Sequence, residues 1–121
     1  MANTFIVVSN ATMPGTAGTP DAMYTVPSSP TTTTVILGLI LANVHTAQVT
    51  VSIKLVSDTS GGGRTATNGT TFLLKDAPVP VGGSLEILAG NKVVLQATDV
   101  LQVDCSVADK ISATLSIMEI T

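Results

Sequence analysis

Charge is what this sequence has least of. Of its 121 residues only 11% are Asp, Glu, Lys or Arg, where an average soluble domain carries roughly 25%. The five basic residues stand apart, as Lys54, Arg64, Lys75, Lys92 and Lys110, so no basic stripe exists to neutralise phosphates. Aromatic residues make up 2%, as Phe5, Tyr24 and Phe72, and Trp is absent. That is too few to stack bases, and with a net charge of −3 it sets nucleic-acid binding aside. One cysteine, Cys105, excludes an intrachain disulfide. One histidine, His45, with Cys105 as its only soft companion, falls short of a metal ligand set. No Gly-x-Ser-x-Gly elbow and no Asp-x-Asp-x-Asp loop occurs, and the eight carboxylates are scattered along the chain. Without Trp, a glycosidase would lack its sugar platforms. The expectation is a protein that is not an enzyme and carries no cofactor and no metal.

Long apolar runs are missing too. The longest, residues 35–42, is interrupted by Gly38 and is far too short for a membrane-spanning helix. Residues 1–12 lack the basic start and apolar stretch of a secretory signal. The chain is therefore expected to be made in the cytoplasm and to enter no membrane. Its length fits one domain, residues 1–121.

What is present is alternation. Val49, Val51, Ile53 and Leu55 are apolar, with Thr50, Ser52 and Lys54 between them. Leu101, Val103, Cys105 and Val107 repeat the pattern, as do Ile111, Ala113, Leu115 and Ile117. Period two places one face inward and the other outward, which is the signature of a β-strand. Cys105 lies on an inward phase and reads as a small buried hydrophobe. After Ile117 the phase breaks, because Met118 and Ile120 are apolar and Glu119 is polar. Either a bulge near Ile117 and Met118 or burial of this strand on both faces by a neighbouring subunit would account for that. Residues 33–42 are apolar on both phases, as expected for a central strand covered on both sides; β-branched Thr31–Thr34 and Gly38 disfavour a helix there.

Shorter strands are expected at residues 4–9, 22–26, 70–75, 84–88 and 92–96. Pro14, Gly15, Gly18 and Pro20 punctuate the chain, followed by Pro27 and Pro30, and by Pro78 and Pro80 before Gly82-Gly83. Ala89-Gly90-Asn91 has the composition of a tight hairpin turn, and Asp109 that of a turn initiator. Eight or nine short strands at even spacing predict an all-β, antiparallel β-sandwich, either jelly-roll or immunoglobulin-like. Residues 57–69 form one irregular stretch with three consecutive glycines. Gly61, Gly62, Gly63 and Arg64 are its candidate contact residues toward a scaffold.

Several patterns extend along the whole chain: the Met1-Ala2-Asn3-Thr4-Phe5 start, Tyr24-Thr25-Val26-Pro27 leading into Thr31–Thr34, and Lys75-Asp76-Ala77-Pro78-Val79-Pro80 before Gly82-Gly83-Ser84-Leu85. Lys92-Val93-Val94-Leu95 followed by Asp99, and the ending Met118-Glu119-Ile120-Thr121, complete the set. In these the chain resembles small virion proteins of tailed bacteriophages of the cyanophage and marine phage type, although the glycine-rich stretch is longer than in that group. The resemblance implies a non-enzymatic particle component located in the virion. The expected role is that of a capsid decoration or cement protein that bridges capsid subunits. It would self-associate as a homo-oligomer such as a trimer and bind the major capsid protein or another virion protein. A neck, tail or baseplate component is the alternative. A carbohydrate-binding module is a third reading, with Tyr24 as its one surface aromatic.

Overall fold

In the computed structural model, which describes residues 2–88 and 92–121, the alternating segments become strands. Nine are described: β1 (Asn3–Met13), β2 (Asp21–Thr25), β3 (Thr33–Asn43), β4 (Val49–Val56), β5 (Thr70–Val79), β6 (Ser84–Ile87), β7 (Val93–Leu95), β8 (Val100–Cys105) and β9 (Ile111–Ile120). Their pairing is nested and antiparallel: β1 with β9, β2 with β8, β3 with β6 and β7, and β4 with β5. This is one long hairpin rolled up on itself. Further pairing of β3 with β9 and of β4 with β8 completes two sheets. The first has the order β1-β9-β3-β6, with β7 also on β3; the second has the order β2-β8-β4-β5. Of the two topologies open from the sequence, this is the jelly roll.

The inward phases of both sheets meet in one core, which includes Ile36, Leu39, Leu41, Ile53, Leu101, Leu115 and Ile117. Full burial of each such side chain stabilises the fold by about 1.5–3 kcal/mol relative to exposure. Cys105 is buried among them. Asn43 closes the end of the core. Its Nδ2 donates to the carbonyls of Ala47, Val79 and Pro80 at 3.0, 3.0 and 3.2 Å, and its Oδ1 accepts from the His45 N–H at 2.7 Å. Among the described residues, every buried side-chain nitrogen and oxygen has a partner.

Three details depart from expectation. β5 continues through Pro78 to Val79, because an edge strand spares one side of its backbone from pairing and tolerates a missing donor there. The bulge expected in β9 near Ile117 and Met118 lies in β3 instead. β9 pairs β1 without interruption across these residues, while Ile36 faces Ile117 and Gly38 faces Ser116, leaving Leu37 as the extra residue. That insertion keeps both Ile36 and Leu39 inward. β3 is central in its sheet but covered on one face only: Ile40, on the other, is 44% exposed. The hairpin turn expected at Ala89-Gly90-Asn91 lies outside the described residues; β6 and β7 on either side of it run in the same direction along β3.

Candidate functional site

The uncovered face of the first sheet is where the sequence placed apolar residues on the outward phase. Register brings Phe5 of β1 opposite Met118 of β9, Met118 opposite Val35 of β3, and Val35 opposite Val94 of β7. These four side chains form one apolar row across the width of the sheet. Phe5 is 73% exposed and Val94 57%. Val7, 67% exposed, lies beside Phe5 on the same face. Below the row, Leu37, Gly38, Ile40, Glu86, Thr114 and Ser116 line a shallow depression of about 310 Å³. Glu86 is the one charged residue among the outward-facing strand positions of this sheet. A partner that covers such a face displaces water from apolar surface and desolvates almost no charge.

The signal for this surface is present in the sequence. Phe5-Ile6-Val7-Val8, residues 35–41, Val93-Val94-Leu95 and the phase break at Met118 are all apolar on both phases. Each supplies one half to the core and the other to the outer row. Phe5, Val7 and Val94 went unrecognised because strand neighbours cannot be assigned before the topology is known, whereas cover by a neighbouring subunit was one of the two explanations open at Met118.

The glycine-rich stretch, residues 57–69, is a hydrogen-bonded loop at one end of the sandwich. Gly61, Gly62 and Gly63 have φ of 86°, 64° and 85°, a left-handed run that glycine adopts without strain. Arg64 folds back on the loop: its Nη1 donates to the Gly61 carbonyl at 2.7 Å and its Nη2 to the Gln96 side chain. Thr59 Oγ1 donates to Asp99 Oδ1 at 2.9 Å, and Asn68 Nδ2 to Ser57 Oγ at 3.0 Å. The candidate contact residues Gly61, Gly62, Gly63 and Arg64 thus sit together on an exposed tip. A depression of about 280 Å³ beside the loop is lined by Arg64, Asn68, Gln96 and Asp99, and also by Val94 of the apolar row. Loop and row therefore adjoin.

Tyr24 is half-buried, and its hydroxyl is committed within the fold. It spans the sandwich: its hydroxyl donates to Glu119 Oε2 at 2.6 Å and shares a hydrogen bond with Thr34 Oγ1 at 2.7 Å. A β2 residue is thereby tied to β3 and β9 of the opposite sheet. Burial, and then the Glu119 carboxylate, push its pKa up to about 12. Phe72, exposed like Phe5, has Lys54 and Lys75 over its ring, their ammonium nitrogens 5.1 and 5.0 Å from the ring centre. The carbohydrate-binding reading rested on Tyr24, whose hydroxyl is thus engaged within the chain. Among the described residues no group of three or more His, Cys, Asp or Glu side chains could hold a metal ion, and no helix is long and apolar enough to cross a membrane.

No protein-family model and no curated protein matches the chain. Solved structures of similar fold exist. One is a chain of the T13 infectious bursal disease virus particle, at 10% identity and a TM-score of 0.52, covering 97% of this chain and 30% of that one. A second structure from that virus, of the Gt strain, gives 12% identity and a TM-score of 0.40, with 97% and 31% covered. A Bacillus endospore appendage, from a family of disulfide-linked pili, gives 13% identity and a TM-score of 0.48, with 99% and 87% covered. The chain thus spans about a third of the length of the viral chains it matches, and the likeness is one of fold.

Proposed function

We propose that this chain is a non-enzymatic structural subunit of a bacteriophage particle, a capsid decoration or cement protein that bridges capsid subunits through the outer face of its first sheet. The observation that carries this reading is the row Phe5–Met118–Val35–Val94, apolar across the sheet and almost free of charge around it. Soluble monomers rarely leave a sheet face in this condition, and a contiguous apolar patch marks an interaction surface. Covering it contributes roughly 25 cal/mol for each Å² of apolar area removed from water. The likeness in fold to a chain of a virus particle and the resemblance to tailed-phage virion proteins support the particle as the setting. The adjoining loop, with Arg64 at its tip, would add a polar rim to the apolar centre, the usual arrangement of a protein interface.

Immunogold labelling of particles released from cells that express this chain tests the proposal. Label over the head supports the decoration role. Label confined to the neck or tail keeps the structural role and moves its position. Particles that carry no label refute the reading.

A further inference from the structure

β1 differs from every other edge strand of the molecule. Edges invite pairing with other chains, and proteins blunt them with charge, proline, bulges or brevity. β5 has Lys75, Asp76, Pro78 and two register shifts. β2 is five residues long, begins at Asp21 and is bulged between Ala22 and Tyr24. β6 and β7 are four and three residues long. β1 has eleven residues, no charge and no proline, and its register is unbroken from Asn3 to Asn10.

Its free side can be identified. Ala2 and Thr121 exchange both backbone hydrogen bonds, at 3.1 and 2.9 Å. Alternation along an antiparallel ladder then turns the even-numbered residues of β1 toward β9 and leaves Asn3, Phe5, Val7 and Ser9 with N–H and C=O pointing outward. Among the described residues, no hydrogen bond from elsewhere reaches the backbone of these four.

We propose that β1 pairs with β1 of a second copy of this chain, antiparallel about a two-fold axis at Ile6, so that two first sheets become one continuous sheet. The inference deepens the assembly reading and rests on it. A second copy is the occupant that fits. About this axis Asn3 faces Ser9 of the other copy and Phe5 faces its Val7, so every outward N–H and C=O of the four residues finds a partner. Phe5 and Val7 form an aromatic–β-branched cross-strand pair twice over. The strand meets its own image without like-charge repulsion, since it has no charge. The apolar row of each copy then runs into that of the other. Residues 3–9 span roughly 24 Å, and edge pairing over that length buries less than the ~800 Å² per partner of a stable interface. The dimer is therefore concentration-dependent in solution.

The test combines sedimentation velocity over a concentration series with cross-linking. The unaltered chain should pass from monomer to dimer as concentration rises. Val7→Pro removes an outward donor without touching the β9 ladder and should leave a monomer at every concentration; Val7→Lys serves if the proline variant does not fold. Thr71→Lys, an exposed charge on β5, should leave the dimer intact. Under oxidised glutathione, Ile6→Cys should give a covalent dimer, since the axis sets Ile6 against its own copy, while Val8→Cys, displaced from the axis, should not. A chain that stays monomeric throughout, a dimer that survives both Val7 variants, or equal cross-linking of Ile6→Cys and Val8→Cys would overturn the inference. None of these outcomes bears on immunogold labelling, so the failure of β1 pairing and the failure of the particle reading are distinguishable.

Discussion

Tyr24 is the only tyrosine of a chain without Trp, so the tyrosinate absorbance band reports one residue and no other. Raising the pH of the folded protein should show this band with a midpoint at about 12, against 10.0 for an unperturbed phenol. Burial is the larger cause, and the hydrogen bond to Glu119 adds to it. Because the folded pKa lies above the unfolded one, the associated stability is complete below pH 10 and is lost as pH rises toward 12. A shift of two units corresponds to at most ~2.7 kcal/mol. Water reaches part of the ring and screens the group, which reduces the expected loss to about 1 kcal/mol. Urea melts followed by circular dichroism at pH 8 and near pH 12 would measure it, with Tyr24→Phe as the control that removes the dependence. Glu119→Gln should move the midpoint down without restoring the ordinary value, since burial remains. A native midpoint near 10 would refute the argument, because it would mean that the hydroxyl is solvated and that Tyr24 does not join the sheets.

Asn43→Ala should destabilise the fold by about 2–4 kcal/mol, read from the denaturation midpoint, because it removes the acceptor of the His45 N–H and the side-chain donor to the carbonyls of Ala47 and Val79, while the Pro80 carbonyl keeps the Gly83 N–H. Gly62→Ala should cost about 1 kcal/mol by the same measurement, since its φ is +64° and the added Cβ would lie 3.2 Å from Arg64 Nη1. Arg64→Ala should leave the thermal midpoint nearly unchanged and lower occupancy on particles, as measured by quantitative gel analysis of purified virions; unchanged occupancy counts against the loop as a contact. Val94→Ser should change stability by less than about 0.5 kcal/mol, because the side chain is largely exposed, while reducing particle occupancy as well.

Period-two patterning carried most of the fold. Alternation placed β4, β8 and β9, because a sandwich core forces their inward phases to be apolar, and each of the other six overlaps an expected segment, β1 and β5 running several residues further. Topology was not legible: the nested order rests on contacts between segments as far apart as Asn3 and Ile120, and no local pattern encodes such a pairing. One double-phase segment was misjudged. Val35 and Ile40 are apolar on the outward phase, and burial within the chain is the first explanation a single sequence offers. The chain has too few elements to cover both faces of its first sheet. The engagement of the Tyr24 hydroxyl was not legible either, because a lone aromatic near a turn carries no sign that it reaches Thr34 and Glu119.

The shortage of charge is itself unevenly distributed, and that asymmetry has a mechanical meaning. The strands of the second sheet carry Asp21, Lys54, Lys75, Asp76 and Asp104. Those of the first carry Glu86 and Glu119, and Glu119 is committed to Tyr24. A protein obliged to stay apart from its neighbours would guard both sheets and would put a charge or a proline on β1, its longest edge together with β5. This chain guards β5 and leaves β1 bare. The two faces therefore suit different surroundings, the second sheet water and the first a protein surface. The same division sets the limits of any contact: the protected sheet and the short edges disfavour open-ended stacking, while one face and one edge stay available for the closed, symmetric contact proposed above.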